Sequence, residues 1–306
     1  MAKQKGICAL CGKECELTYE HIPPKAAFNS KPAKLYSGEK ILFGGDRLPW
    51  DFQGLKYVDR QKGSGKYSIC QECNNNTGAW YGETYKNIAY IVAEALEMSK
   101  EEPIQGICIE EVYGVRFIKQ ILSMFCSVND YPALVGYLKV SETENGSEHS
   151  PLFNTIVNAK RALRDAVFLT EELRAFVRDK NAVGLDKSKF KLCMYETNST
   201  LIKLNAVSTV LNFSDNKFVT VSELTVPPLG FLLYYNPSDN LECIGVDITN
   251  LADYGYDEKL KIEFPLQVLE MNTYFPTDYR TKEQIESDSK KAKEWCAKQE
   301  EVCDEQ

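Results

Sequence analysis

Residues 8–26 read CALCGKECELTYEHIPPKA and residues 68–78 read SICQECNNNTG, and the two stretches hold two Cys-x-x-Cys pairs, Cys8/Cys11 and Cys70/Cys73. A two-residue spacer lets both sulfurs of a knuckle reach one ion, and two knuckles complete a tetrahedral thiolate site. Turn formers follow each pair, Gly12 after the first and Asn74-Asn75-Asn76-Thr77-Gly78 after the second. One pair alone would fit a redox dithiol equally well. Two pairs point to structural zinc; the alternatives are that Cys15 replaces one ligand or that no metal binds. The chain starts Met-Ala-Lys-Gln-Lys and enters the first pair with no apolar stretch. No signal peptide is therefore expected, and a reducing cytoplasm is the expected location. In that compartment the 11 cysteines do not form a disulfide framework.

Outside these stretches the composition is ordinary for a globular protein: 306 residues, 43% apolar and 26% charged, with 12 Pro and 18 Gly. Collagen-like, low-complexity and wholly disordered chains are excluded. The length favours two or three compact units. The densest apolar run, Leu229 to Tyr235, is far shorter than the roughly 20 residues that span a bilayer, so no membrane association is expected. The net charge of −8 is unevenly spread: residues 1–86 carry +4 and the remainder −12. A mildly basic front on an acidic body suits a small phosphate-handling module joined to something else.

The pattern predicts an α+β chain. Residues 1–98 form a small zinc-stapled module with a trailing helix, on which Tyr81, Tyr85, Ile88, Val92 and Ala95 mark one buried face. Residues 99–185 form a helical segment with a second stripe at Ile118, Ile121, Leu122 and Phe125. Another helix is expected in the Pro151–Lys180 region, with a helix start at Thr170-Glu171-Glu172. Residues 186–280 read as a β-rich regulatory or targeting domain. Its strands are expected at Lys189–Glu196, Thr200–Phe213, Lys217–Thr225, Leu229–Tyr235, Leu241–Ile248 and Leu260–Leu269. Residues 281–306 read as a solvated, charged helix on which Cys296 and Cys303 share a face.

Between the cysteine pairs lies Glu20-His21-Ile22-Pro23-Pro24-Lys25, and the chain has only 2 histidines. The other, His149, sits in a polar loop. On an extended chain Glu20 and His21 point to opposite sides. A carboxylate can then hold a metal while the imidazole acts as general base. Asn74, directly after the second pair, offers an amide oxygen as a further hard-metal ligand at a helix start.

These stretches resemble the HNH, or ββα-metal, endonuclease superfamily, in particular its four-cysteine zinc-stapled branch, over roughly residues 6–90. The resemblance implies structural zinc at Cys8, Cys11, Cys70 and Cys73. It implies a general base at His21 and a catalytic Mg²⁺ or Mn²⁺ held by Glu20 and Asn74. The implied reaction is hydrolysis of a nucleic-acid phosphodiester, with DNA the expected substrate and 5′-phosphate and 3′-hydroxyl ends the expected products. Water would attack in line, and the ion would stabilise the charge developing on phosphate and leaving oxygen. His21, with an unperturbed pKa near 6.5, is largely neutral at cytoplasmic pH and able to take the water's proton.

Lys25, Arg60, Lys62 and Lys66 are the expected contacts to a nucleic-acid backbone, the last three on a basic, Gly-containing loop. Trp80 and Tyr81 are expected to anchor the module on its helix. The body behind the module leaves room for a regulatory ligand or protein partner and for oligomerisation, and fusions of this kind suggest a prokaryotic antiviral defence effector by analogy. The alternative is a non-catalytic zinc-stapled nucleic-acid-binding protein with a ligand- or partner-sensing C-terminal domain.

Overall fold

The computed structural model describes residues 4–36, 54–135, 151–198, 201–212, 217–239, 241 and 243–266, with 268, 278–279 and scattered positions of the tail. The chain mixes helix and sheet, as the pattern implied. His149, Cys296 and Cys303 lie outside the described residues.

The front opens with β1 (Lys5–Ile7) and β2 (Glu14–His21), joined through the first cysteine pair. Gly12 takes a φ of 71° in that turn, a conformation Gly adopts without a Cβ penalty. Two short strands, β3 (Ala33–Tyr36) and β4 (Tyr57–Arg60), pair with each other as a side ribbon. The next strand, β5 (Gly65–Cys70), returns antiparallel to β2 and completes the order β1-β2-β5. The register slips between Thr18 and Tyr19, leaving Ser68 as an extra, buried residue on β5.

Helix α1 (Gln71–Met98) starts directly at the second knuckle. Cys70 is its N-cap, with extended backbone and a sulfur that accepts from the Cys73 N–H at 3.5 Å. Glu72 in the first turn complements the positive end of the helix dipole. The expected stripe of Tyr81, Tyr85, Ile88 and Val92 is buried; Ala95 is half-buried, and Leu96 takes the deeper position. Tyr81 donates its hydroxyl to the Val177 carbonyl at 2.9 Å, and half-buried Trp80 packs against the core.

A strand that the periodicity did not announce, β6 (Gly106–Val112), precedes α2 (Gly114–Val128). Every residue of α2 except Arg116 is buried, so the helix lies at the centre of the molecule. Its Lys119 donates to the carbonyls of Asp179 and Lys180, and thereby caps α3 (Pro151–Arg178). Desolvation lowers the Lys119 ammonium to about 8. The expected helix start at Thr170 is corrected: α3 runs unbroken through it, and the Thr170 hydroxyl donates to the Ala166 carbonyl at 2.9 Å. A hydroxyl satisfied one turn back caps nothing.

The C-terminal half contains β7 (Phe190–Glu196), β8 (Leu201–Asn212), β9 (Lys217–Val226), β10 (Leu229–Tyr235), β11 (Val246–Asp247), β12 (Leu260–Pro265) and β13 (Asp278–Tyr279). Six of them form an antiparallel sheet in the order β11-β7-β10-β9-β8-β13. The strand expected over Leu241–Ile248 shrinks to two residues. The Asp247 carboxylate accepts from the Thr249 N–H and hydroxyl, and this turns the chain into a 3₁₀ helix at Thr249–Asp253. β12 leaves the large sheet and pairs with β6. One apolar core runs from Leu17 and Ile69 through Tyr85 and Phe125 to Phe231, so front, helices and sheet share an interior.

Candidate functional site

The β1–β2 turn and the β5–α1 junction bring Cys8, Cys11, Cys70 and Cys73 together, with all four sulfurs within 4.8 Å of one another. A tetrahedron with zinc–sulfur bonds of about 2.3 Å needs sulfurs roughly 3.8 Å apart. Cys11 and Cys70 are separated by 4.0 Å. The donor set fits a structural zinc. Backbone N–H groups also point at the sulfurs: Cys11 and Cys70 donate to Cys8 Sγ at 3.5 and 3.3 Å. A hydrogen bond from the Cys73 thiol, with these N–H groups, holds Cys8 well below the usual thiol range against the cost of burial. The same bond pushes the Cys73 thiol up. Cys15, the alternative ligand, is half-buried beside it, within hydrogen-bonding reach of Cys70 but outside the four-sulfur set.

His21 ends β2 and is half-buried. Its Nε2 lies 2.9 Å from the Lys62 backbone carbonyl. A carbonyl only accepts, so Nε2 carries the proton and Nδ1 carries the lone pair. Nδ1 has no hydrogen-bond partner among the described residues. Tyr19 stands edge-on to the imidazole with ring centroids 5.2 Å apart, and its hydroxyl donates to the Gly63 carbonyl at 2.8 Å. Desolvation, with the nearby charges of Lys25 and Lys62, lowers the imidazole from its ordinary value, against the upward pull of the Lys62 carbonyl. His21 is a neutral base at pH 7 with a fixed tautomer.

The loop that presents it is tied down by a residue that the sequence reading did not name. Asn29 is buried; its Nδ2 donates to the Pro23 and Ser64 carbonyls, each at 2.7 Å, and its Oδ1 accepts from the Ser64 N–H at 2.7 Å. One amide thus joins the segment after His21 to the start of β5. Gly63, with a φ of 101°, passes so close that a Cβ would collide with the Asn29 carbonyl. Nothing in the spacing marks Asn29 among the neighbouring small and polar residues; a polar amide in an otherwise buried Ala27-Phe28-Asn29 run is the one available cue.

Asn74 lies in the first turn of α1, and its Nδ2 donates to Thr18 Oγ1 at 3.0 Å and to the Tyr19 carbonyl at 3.4 Å. Thr18 gives its own proton to the Ile69 carbonyl, so both neighbours of the amide are acceptors and the amide orientation is fixed. Its Oδ1 accepts no hydrogen bond among the described residues.

Glu20 points the other way from His21, into the interior. Its carboxylate meets Ser68 Oγ at 3.2 Å, Ser123 Oγ at 3.4 Å and the Ser127 hydroxyl, the last two on α2. Only 4% of the residue is exposed. Desolvation pushes the carboxyl up to about 8, more than the Ser68 and Ser123 hydrogen bonds pull it down. Three serine hydroxyls, rather than Asn74, surround this acid.

Of the four expected phosphate contacts, Lys25 and Lys62 are exposed and flank His21. Arg60 is half-buried, with its guanidinium 5.9 Å above the Tyr19 ring. Lys66 pairs with Asp130 at 2.9 Å. No family model, no curated protein and no solved structure matches the chain.

Proposed function

We propose that the chain is a zinc-stapled endonuclease of the HNH type that hydrolyses nucleic-acid phosphodiester bonds, DNA foremost, with His21 as general base. The supporting observation is the hydrogen bond from His21 Nε2 to the Lys62 carbonyl, which leaves Nδ1 as the proton acceptor on a strand stapled to a helix by four thiolates. Asn29 holds the loop, and the ammonium groups of Lys25 and Lys62 attract the phosphate. Nδ1 takes the proton of an attacking water, and the imidazolium so formed returns it to solvent.

Asn74 and Glu20 are the oxygen donors proposed for Mg²⁺ or Mn²⁺. The Glu20 carboxyl is enclosed by Ser68, Ser123 and Ser127, while Asn74 donates to Thr18 and the Tyr19 carbonyl. No step is assigned to Glu20. The enclosure favours a second reading, a zinc-stapled nucleic-acid-binding module without catalysis, whose C-terminal body senses a ligand or partner. Nicking of supercoiled plasmid in Mg²⁺, Mn²⁺ or Ni²⁺ separates the two. Cleavage by the native chain and none by His21→Ala supports the nuclease; retardation of DNA without cleavage in any metal overturns it in favour of the binding module. A defence role belongs to the same proposal and rests on architecture alone.

A further inference from the structure

Strand β7 sends alternate side chains to opposite faces of the six-stranded sheet. Leu192 and Met194 enter the main core, whereas Cys193 and Tyr195 lie on the other face, in a separate apolar cluster with Val219, Val221, Leu232 and Tyr234. Leu241 and Cys243, from the segment between β10 and β11, pack onto that cluster. The segment is seated closely on β7. A Cβ on Gly245, whose φ is 86°, would lie 2.3 Å from the Met194 carbonyl oxygen. Directly after it, Val246 and Asp247 pair with Met194 and Cys193. Two cysteines far apart in the chain are thereby brought together.

Cys193 and Cys243 are free thiols within hydrogen-bonding reach of each other, and their surroundings differ. Cys193 is wholly enclosed, with 0% of the residue exposed, while Cys243 is half-buried beside exposed Ile244. The hydrogen bond from the Cys193 thiol, opposed by burial and helped by the Lys191 ammonium, lowers Cys243 to about 7. The same bond, together with burial, pushes the Cys193 thiol up. Asp247 on β11 works against a Cys243 thiolate, but its carboxylate already accepts from the Thr249 N–H and hydroxyl. Tyr234 on β10 is the remaining ionisable neighbour. In its thiol form Cys243 faces the Leu241 carbonyl at 3.7 Å. Cys108, by contrast, is exposed, and its thiol meets the Glu110 and Glu263 carboxylates at 3.7 Å each.

We infer that Cys193 and Cys243 are a reversible redox pair that a peroxide oxidises to a disulfide, with Cys243 meeting the oxidant and Cys193 resolving the product. The attacking sulfur needs thiolate character and access, and the resolving sulfur needs proximity. With hydrogen peroxide, the Cys243 thiolate attacks one oxygen, the O–O bond breaks, and the departing hydroxide takes up a proton to become water. Cys243 is then a sulfenic acid. The Cys193 sulfur attacks the Cys243 sulfur, the S–O bond breaks, and the Cys193 proton leaves with the oxygen as a second water. The two thiols give up two electrons and two protons, and one peroxide becomes two waters. A dithiol reductant reverses the reaction by thiol–disulfide exchange. Neither sulfur belongs to the four-sulfur cluster, so the pair is independent of the nuclease reading.

The test exposes the full chain to a small excess of hydrogen peroxide, blocks the remaining thiols with iodoacetamide and maps linked peptides by mass spectrometry. The expected product is a Cys193–Cys243 cross-link that dithiothreitol reverses. It should form before Cys108 is oxidised, although Cys108 is the exposed thiol. Cys193→Ala should give no cross-link and leave Cys243 as a sulfenic acid that dimedone traps. Should Cys193→Ala fail to fold, the native chain quenched early with dimedone carries the same expectation, an adduct on Cys243 and none on Cys193. Absence of the cross-link, a link from either cysteine to another thiol, a dimedone adduct on Cys193, or oxidation of Cys108 ahead of Cys243 each overturns the assignment.

Discussion

His21 donates Nε2–H to the backbone carbonyl of Lys62 at 2.9 Å, across the open end of the β2–β5 pair. A ring held by one nitrogen presents the other, and burial keeps the ring unprotonated. Three of the four predictions below concern this strand and the loop facing it.

Cleavage by the native chain should rise with pH through a midpoint below the ordinary imidazole value, because desolvation and the charges of Lys25 and Lys62 lower the His21 pKa. His21→Ala should reduce the rate by about 10²–10⁴-fold while zinc content and DNA retardation persist. A pH–rate profile of both proteins checks this, and native-like cleavage by the variant removes His21 from the mechanism.

The four-cysteine cluster should hold about one tightly bound zinc per chain. Cys70→Ser should lose it and lose the front of the fold as well, since Cys70 is at once part of the sulfur cluster and the N-cap of α1. Elemental analysis together with circular dichroism reads both effects. A folded, zinc-free native protein is the contrary outcome.

Glu20 carries a folded-state pKa raised to about 8 from an unfolded value near 4.5. The native state therefore holds a proton that the unfolded state has lost. Stability from this group is full below the unfolded value and declines as pH rises toward about 8, at a slope on the order of 1 kcal/mol per pH unit. Glu20→Gln, neutral at every pH, should be less sensitive than the native chain between pH 6 and 8. Melting temperatures across that window decide it; parallel curves for the two proteins would dismiss a protonated Glu20.

Asn29→Ala strands the Pro23 carbonyl and the Ser64 N–H, while the Ser64 carbonyl keeps the Ile22 N–H at 3.1 Å. The expected loss is about 1–3 kcal/mol for each buried polar group left unsatisfied, less whatever water recovers. Asn29→Asp keeps the Ser64 N–H bond only and should lose both donor contacts. Urea denaturation measures the stability, and a loss under about 0.5 kcal/mol for Asn29→Ala would show that the loop closes without it.

The cysteine spacing, the α1 stripe and the strand-rich texture after Lys189 were legible in the sequence because each depends on local periodicity or on one ion's geometry. β6 was hidden: its alternation covers only Ile107 to Glu110 before Glu111 turns to a φ of 54°, too short to outweigh the helical texture on either side. Thr170 misled because a hydroxyl beside two glutamates looks alike at a helix start and in mid-helix, and only the Ala166 carbonyl distinguishes them. The strand pleat correctly put Glu20 and His21 on opposite sides. What each side faces came from residues about a hundred positions downstream, Ser123 and Ser127 on α2, which no local pattern connects to Glu20. Asn29 escaped for the same reason, since its partners at Ser64 lie 35 residues away.

The sulfur of Cys70 does more than join the four-sulfur cluster. Because the helix begins at the knuckle, its rotational phase is set there, and every later residue inherits that phase. One residue inserted between Cys73 and Tyr81 would turn the rest of α1 by about 100°. Tyr81, Tyr85, Ile88 and Val92 would leave the interior together, although none of them was altered. Between Gly78 and Tyr81, α1 should therefore be a stretch where single substitutions are tolerated better than changes of length.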